Sequence, residues 1–236
     1  MSSIPNLPFE HVKIASNVDF YDSWAAQYDQ SNPLQRVDDK LFEDNVLPRI
    51  AFLPRSQPVH IMDLGCGTGR NTTKLVPLLP PGSRITGVEQ SEAMLNIAKP
   101  KFMENRSVNF IRSSLEALEV TEDEKVDALI STLVLEHVPL APFFQVAARV
   151  LKSGGWAWVT SMHPDLGSQG QASFTNEEGK KVVGVSWNHT PEATIAAAEQ
   201  EGLFLEGEVV IGRGGEKEKE KWQDVKMGVG FLFIKI

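Results

Sequence analysis

Ile61-Met-Asp-Leu-Gly-Cys-Gly-Thr-Gly-Arg70 is the stretch that decides the fold. A hydrophobic run ends in Asp63, and glycines follow at alternate positions, Gly65, Gly67 and Gly69. A helix-like stretch, 71–79, comes next. A strand that becomes a helix through glycines brings bare backbone close to a ligand. The helix amino end adds free N–H groups and partial positive charge, which suit a carboxylate or a phosphate. Two phosphate-cradling templates fail on spacing. A dinucleotide turn wants G-x-G-x-x-G, and Arg70 stands where its last glycine belongs; a P-loop wants G-x-x-x-x-G-K-[ST], which is absent.

Outward from this turn, short β-rich runs at 59–64, 84–89, 107–112, 126–132 and 155–162 alternate with helical candidates at 71–79, 91–99, 114–118 and 142–151. That rhythm predicts a parallel sheet with right-handed crossovers. Before it, 1–18 reads as a loose arm containing Pro5 and Pro8. Helix 19–30 then carries Phe20, Trp24 and Tyr28 four apart on one face, and a second amphipathic helix covers 36–52. Past Met162 the rhythm breaks. Runs 171–175 and 181–187 flank Asn176-Glu-Glu-Gly179, a hairpin signal. Thr190-Pro191 starts a helix that Gly202 ends, and strands 203–211 and 229–236 close the chain.

Composition narrows the function. With 236 residues the chain can bury one sizeable core, and a net charge of −8 with pI near 5.2 argues against a nucleic-acid backbone as partner. No apolar run is long enough to span a membrane, and Met1 to Glu10 has no secretory pattern. One cysteine, Cys66, fits a reducing compartment, so a cytoplasmic location is expected.

Glu89 ends the strand after the glycine turn, where an acidic side chain can accept from a ribose diol. Asp63-Leu-Gly-Cys-Gly-Thr-Gly followed by Gly-Val-Glu89-Gln-Ser-Glu-Ala-Met94-Leu resembles the class I S-adenosylmethionine-dependent methyltransferases. Val126-Asp127 through Val134-Leu135-Glu136-His137-Val138 is similar to that family's fourth strand and the segment after it. Arg149-Val-Leu-Lys-Ser-Gly154-Gly155-Trp156 resembles its turn into the fifth strand. Tyr21 to Asp29 looks like the amino-terminal helix of small-molecule members of the ubiquinone-biosynthesis type. Together these cover 20–160 in the expected order.

The fold so implied is α/β: a Rossmann-like, mostly parallel seven-stranded sheet with helices on both faces, an antiparallel last strand, a helical amino-terminal cap and a β-hairpin insertion. One domain, 1–236, is expected. It divides into an arm and cap helices (1–57), a cofactor-binding core (58–163), the insertion (164–190) and the closing helix and strands (191–236).

The resemblance implies S-adenosyl-L-methionine as cofactor. The backbone of Gly65, Cys66 and Gly67 would meet its methionine end, with the carboxylate near the helix start, and Asp63 counts among the cofactor-binding residues. Glu89 would hold the ribose, and Gln90 and Met94 would border the adenine. The family often has an aspartate after the third strand; here Ser114 stands there, so the adenine contact is either weaker, through an uncharged hydroxyl, or shifted to the Leu115 backbone. Tyr28 and Leu133 would pass close to the methionine end.

Methyl transfer needs a base only where the acceptor must lose a proton. Among the histidines, His11 lies in the arm and His60 inside a strand. His163 ends the fifth strand and His137 follows the fourth, at the carboxyl edge of the sheet where a ligand crevice forms, and His189 ends the hairpin insertion; His163 is the first choice of base, and the choice among the three stays open. Glu136 reads as structural. Neither a carboxylate cluster for a metal nor the Asn/Asp-Pro-Pro-Tyr signature of amide and nucleobase methyltransferases is present: Ser131-Thr-Leu-Val134 stands at that place. A small organic acceptor is expected, with Trp156, Phe174 and Trp187 available to line its pocket; a protein partner and the oligomeric state are open. The rival readings are a non-catalytic S-adenosylmethionine-binding regulatory or partner protein and a nicotinamide oxidoreductase, the latter disfavoured by Arg70.

Overall fold

Strand β2 (His60–Leu64) is buried at every position, as a central strand covered on both faces must be. The computed structural model describes residues 12–30, 32–170, 173–176, 179–216, 218 and 220–236. His11, Pro5 and Pro8 of the arm, the start of the 171–175 run and the tip of the 176–179 turn lie outside these. β2 pairs in parallel with β3 (Arg84–Glu89) on one side and β5 (Val126–Thr132) on the other. β4 (Val108–Arg112) extends the first side, and β6 (Leu151–Met162) the second. β11 (Lys226–Lys235) then runs antiparallel to β6. On the far edge of β11 sit β9 (Leu203–Leu205) and β10 (Val210–Arg213), both antiparallel to it. The sheet therefore spans seven positions, β4-β3-β2-β5-β6-β11 and a last one shared by two short strands. The single strand expected at 203–211 is split in two, with Gly207 between at φ +78°.

Alternation along the strands builds two cores. Ile61, Ile85, Ile130 and Trp158 face α2 (Pro33–Asn45), α3 (Leu47–Ala51) and α4 (Arg70–Leu75), meeting Val37, Leu41, Phe42, Ile50 and Leu75. Met62, Leu129, Ala157 and Val159 face the other way. They pack with Phe143, Phe144 and Ala147 of α6 (Leu140–Val150) and Ala198 of α8 (Pro191–Gln200).

Several expected helices are shorter or divided. The helix expected at 71–79 is α4 followed by a 3₁₀ turn at Val76–Leu78, and that at 91–99 is α5 (Glu92–Ala98) followed by a 3₁₀ turn at Lys99–Phe102. Each tightens at a proline, Pro77 or Pro100, which has no N–H to continue an α-helix. The helix at 36–52 begins earlier, at the capping box of Asn32 and Gln35 with Pro33 at the first turn, and breaks before Pro48. No helix forms at 114–118: the Ser114 hydroxyl accepts from the Ala117 N–H at 3.3 Å, a turn that competes with helix formation. The arm is not wholly loose. β1 (Val12–Ala15) pairs in parallel with β8 (Lys181–Gly184), which pairs with β7 (Ser173–Thr175), so the arm and the hairpin insertion form one small second sheet. Beside it lies α1 (Asn17–Tyr28), capped by Ser16. Among the described residues, no helix is long and apolar enough to cross a membrane.

The turn after β2 is the tightest place in this frame. Gly65, Gly67 and Gly69 all have left-handed backbone, at φ +76°, +54° and +79°. A Cβ on Gly65 would lie 2.2 Å from Val134 Cγ2. Gly65→Ala is therefore expected to cost about 2 kcal/mol or more, a fall of roughly 4–8 °C in melting temperature by scanning calorimetry. Gly154→Ala has the same φ of +76° but nothing within 4 Å, and should cost only the backbone strain, about 1 kcal/mol. Equal melting temperatures for the two variants would contradict the packing argument.

Candidate functional site

Two cavities open where the parallel strands end, beside the point where strand order reverses between β2 and β5. The first, about 270 Å³, is floored by Leu64, Gly65 and Gly67, walled by Glu89, Gln90, Met94, Ser114 and Leu115, and covered by α1. The second, about 350 Å³, is largely apolar and aromatic, with Trp24, Pro33, Leu34, Met162, Leu166 and Trp222 in its walls. Tyr21, Tyr28, Leu133 and His137 line both.

The turn hangs from the end of β3. The N–H groups of Gly65 and Cys66 both donate to the Val88 carbonyl, at 2.7 and 3.0 Å. Gly67 N–H donates to Glu89 Oε2 at 3.1 Å, and Ser91 N–H to Glu89 Oε1 at 2.8 Å. Each Glu89 oxygen keeps acceptor capacity toward the first cavity. Burial pushes this carboxyl above its ordinary range, while the Ser91 and Gly67 N–H groups favour its ionised form. Asn17 Oδ1 is a buried acceptor in a residue of the same lining that has no protein donor. An ionisable carboxylate at a strand end, an orphaned acceptor and a bare glycine floor fit a nucleoside ligand rich in donors.

The structure brings Tyr28, Gly65, Gly67, Glu89, Gln90, Met94, Ser114, Leu115 and Leu133 together around this cavity. Asp63 and Cys66 do not line it. Asp63 lies beneath the turn and accepts from the Thr72 hydroxyl at 2.6 Å, its pKa pushed up to about 6 by burial. The Cys66 side chain faces the sheet over Gly87, where a Cβ would lie 2.9 Å from its Sγ; burial holds the thiol neutral. The helix start, expected from the sequence beside the ligand's carboxylate, does not line this cavity. Arg70, Asn71 and Thr72 contribute nothing to the lining, and Arg70 is bound to Asp38 Oδ2 at 2.6 Å and to Asp39. Burial opposes the Arg70 charge, but Asp38 and Asp39 hold its pKa above normal.

Of the three candidate bases, only His137 reaches the cavities. His163 caps the short helix α7 (Pro164–Gly167): its Nδ1 accepts from the Asp165 N–H at 3.1 Å. His189 stacks on Trp187 and bonds through Nε2 to the Val138 carbonyl at 2.9 Å, so that nitrogen must donate. Neither lines either cavity. His137 Nδ1 lies 3.0 Å from the Val185 carbonyl, which can only accept. Nδ1 therefore carries the proton, and Nε2 accepts from the Tyr21 hydroxyl at 2.6 Å. Burial lowers the pKa of His137 and raises those of Tyr21, well up, and Tyr28, to about 12. The first two stay neutral as acceptor and donor. Leu133, between the cavities, has left-handed backbone at φ +56°, strain of the kind found at functional sites.

Sequence reasoning gave no site role to Asn17 or Tyr21 and read Glu136 as structural. The signal for the first two was present: Asn17, Tyr21, Trp24 and Tyr28 are spaced four, three and four apart and share one helix face. Phe20, grouped with Trp24 and Tyr28 from the spacing, instead packs fully buried against the small sheet. Of the three aromatics expected in an acceptor pocket, Trp156, Phe174 and Trp187, none lines the second cavity.

Residues 62–159 match the family model described as a methyltransferase domain. An uncharacterized methyltransferase of Emericella nidulans is 34% identical across 93% of this chain and 85% of its own length. A ubiquinone biosynthesis O-methyltransferase of Hydrogenovibrio crunogenus is 31% identical across 66% and 68%. In fold, the chain is similar to an S-adenosylmethionine-dependent methyltransferase of Mesorhizobium loti (TM-score 0.61, 20% identity, 80% and 98% covered). It is likewise similar to magnesium protoporphyrin IX methyltransferase of Synechocystis with bound S-adenosylmethionine (TM-score 0.62, 16% identity, 93% and 95%). The chain belongs to the S-adenosylmethionine-dependent methyltransferases, of the class I small-molecule type.

Glu136 carries a stability signature. It is 4% exposed, and burial pushes its pKa to about 7 from the usual 4.5. The folded protein thus holds this proton at a pH where the unfolded chain has lost it, so stability falls as pH rises from 4.5 to 7 and the full penalty persists above. Glu136→Gln removes the penalty. By urea unfolding it should gain on the order of 2–3 kcal/mol over the parent at pH 8 and little at pH 4.5. An equal gain at both pH values would contradict the burial of an ionising carboxyl.

Proposed function

We propose that the first cavity holds S-adenosylmethionine and the second its small organic acceptor, with His137 taking the acceptor's proton where the two meet. One observation carries this reading: the cavities share Tyr21, Tyr28, Leu133 and His137 as common lining. A methyl group passing between two bound molecules needs such a shared wall. Glu89 is the ribose group, since its carboxylate is fixed by two backbone donors and still faces the cavity. Gln90 and Met94 border the adenine, and Met94 offers an adaptable apolar surface to a ring. Ser113, Ser114 and Leu115 close that end.

When bound, the cofactor supplies an electrophilic methyl carbon on a sulfonium, whose carbon–sulfur bond breaks toward sulfur as the acceptor's lone pair bonds to carbon. What this chain adds is position, exclusion of water and a proton acceptor. His137 is kept neutral by burial and in one tautomer by the Val185 carbonyl. Its Nε2 lone pair is taken by Tyr21 and passes to an acceptor's O–H or N–H when that group replaces the tyrosine hydroxyl. The acidic balance of the chain and a cavity of small-ligand size, roofed in part by α1, support a free small molecule over nucleic acid.

Glu89→Ala should weaken binding of S-adenosylhomocysteine by about 10- to 100-fold in titration calorimetry, from loss of charge-assisted bonds. Parental affinity in that variant would remove the ribose assignment. For His137→Asn the expectation is split: S-adenosylhomocysteine affinity unchanged, but turnover on any acceptor found by panel screening down by about 10²–10⁴. Undiminished turnover would leave His137 a merely structural group.

A further inference from the structure

The second cavity has a charge pattern that names the acceptor class. Glu136 is a nearly fully buried carboxylate in its lining, 4% exposed. Its Oε2 accepts from the Ser161 hydroxyl at 3.1 Å, and its own and the Met162 backbone N–H groups also favour its ionised form. Among the described residues it takes part in no ion pair. No Lys or Arg is among the described residues that line the cavity. Arg70, which reaches Asp38 from α4, is already bound between Asp38 and Asp39. Asp38 adds negative potential at Glu136 rather than relieving it.

Left without a cation, this buried carboxyl holds its proton up to about pH 7, and a ligand that brings a positive charge stabilises its ionised form. The same cavity is lined by the rings of Tyr21, Trp24, Tyr28 and Trp222, and aromatic faces attract cations. Lys221 already lies over the Trp222 ring, 4.7 Å from its centre, on the protein's exposed side. An acceptor bearing a carboxylate would meet Glu136 and find no positive side chain in the lining. From the juxtaposition of buried, cation-free Glu136 with the Tyr21–Trp24–Tyr28 rings, we propose that this methyltransferase selects acceptors carrying a protonated or quaternary amine. The ammonium sits toward Glu136, and the group to be methylated faces Tyr21 and His137 at the boundary with the first cavity. Glu136 is thereby a specificity-determining residue rather than the structural one its sequence context suggested. This inference rests on the second cavity being the acceptor site.

The test uses the full chain saturated with S-adenosylhomocysteine and matched sets of aryl-ethyl, indolyl-ethyl and cyclohexyl-ethyl amines, alcohols and carboxylic acids. Binding is read by calorimetry. The amine of at least one set should bind ten or more times tighter than its alcohol, and its acid should be the weakest of the three. Glu136→Gln should erase the amine preference and leave S-adenosylhomocysteine affinity as in the parent. No amine preference in any set, including no binding at all, overturns the proposal, as does a preference that survives Glu136→Gln. If S-adenosylhomocysteine itself fails to bind, the assignment of the first cavity is what has failed, and this inference falls with it.

Discussion

Everything at this site depends on a five-residue turn fastened to the end of the neighbouring strand. Gly65 and Cys66 give their N–H groups to Val88, and Gly67 gives its own to Glu89. The turn can hug β3 only because Gly65 has no Cβ to strike Val134. One carboxylate therefore does two jobs, holding the floor of the cavity and facing whatever lies above it. The same bonds leave the glycine turn few donors to offer an anion. The N–H groups of Gly65, Cys66, Gly67 and Gly69 are all engaged within the protein, so shape and Glu89, not free donors, define the pocket.

The cap is tied to this turn by charge. Arg70, just after the last glycine, binds Asp38 and Asp39 of α2, and Lys74 binds Asp39 at 2.5 Å and Glu43 at 2.8 Å. Asp38 also accepts from Thr160 of β6 at 2.5 Å. Helix α1 is held separately: Asp22 accepts from the Ser91 hydroxyl at 2.5 Å, and Asp29 from that of Thr68 at 2.6 Å. Such partly buried pairs are weak evidence for net stability, but they fix orientation. They set Tyr21 and Tyr28 over the junction of the cavities.

The sheet was legible because its central strands are buried on both faces and read as short apolar runs between turn signals. β3 and β5 begin and end where the runs 84–89 and 126–132 do. Helix ends were less legible where Pro77, Pro100 and Pro48 tightened or divided them. The lining of the first cavity was readable because its parts are local: the turn, the end of β3 and the start of α5 each carry a pattern of a few residues. The lining of the second cavity was not. Trp24, Glu136, Met162 and Trp222 come from four distant segments, and only the packing of cap, insertion and sheet brings them to one cavity. His163 shows the same limit: it follows a strand end, as a ligand group should, but the next turn claims its ring nitrogen.

A crystal structure of the complex with S-adenosylhomocysteine tests the central claim most directly. The account predicts the ribose hydroxyls within hydrogen-bond distance of Glu89 and the sulfur at the wall shared by both cavities, beside Tyr21, Leu133 and His137. A sulfur atom turned away from that wall, with Glu89 touching no part of the ligand, would contradict it.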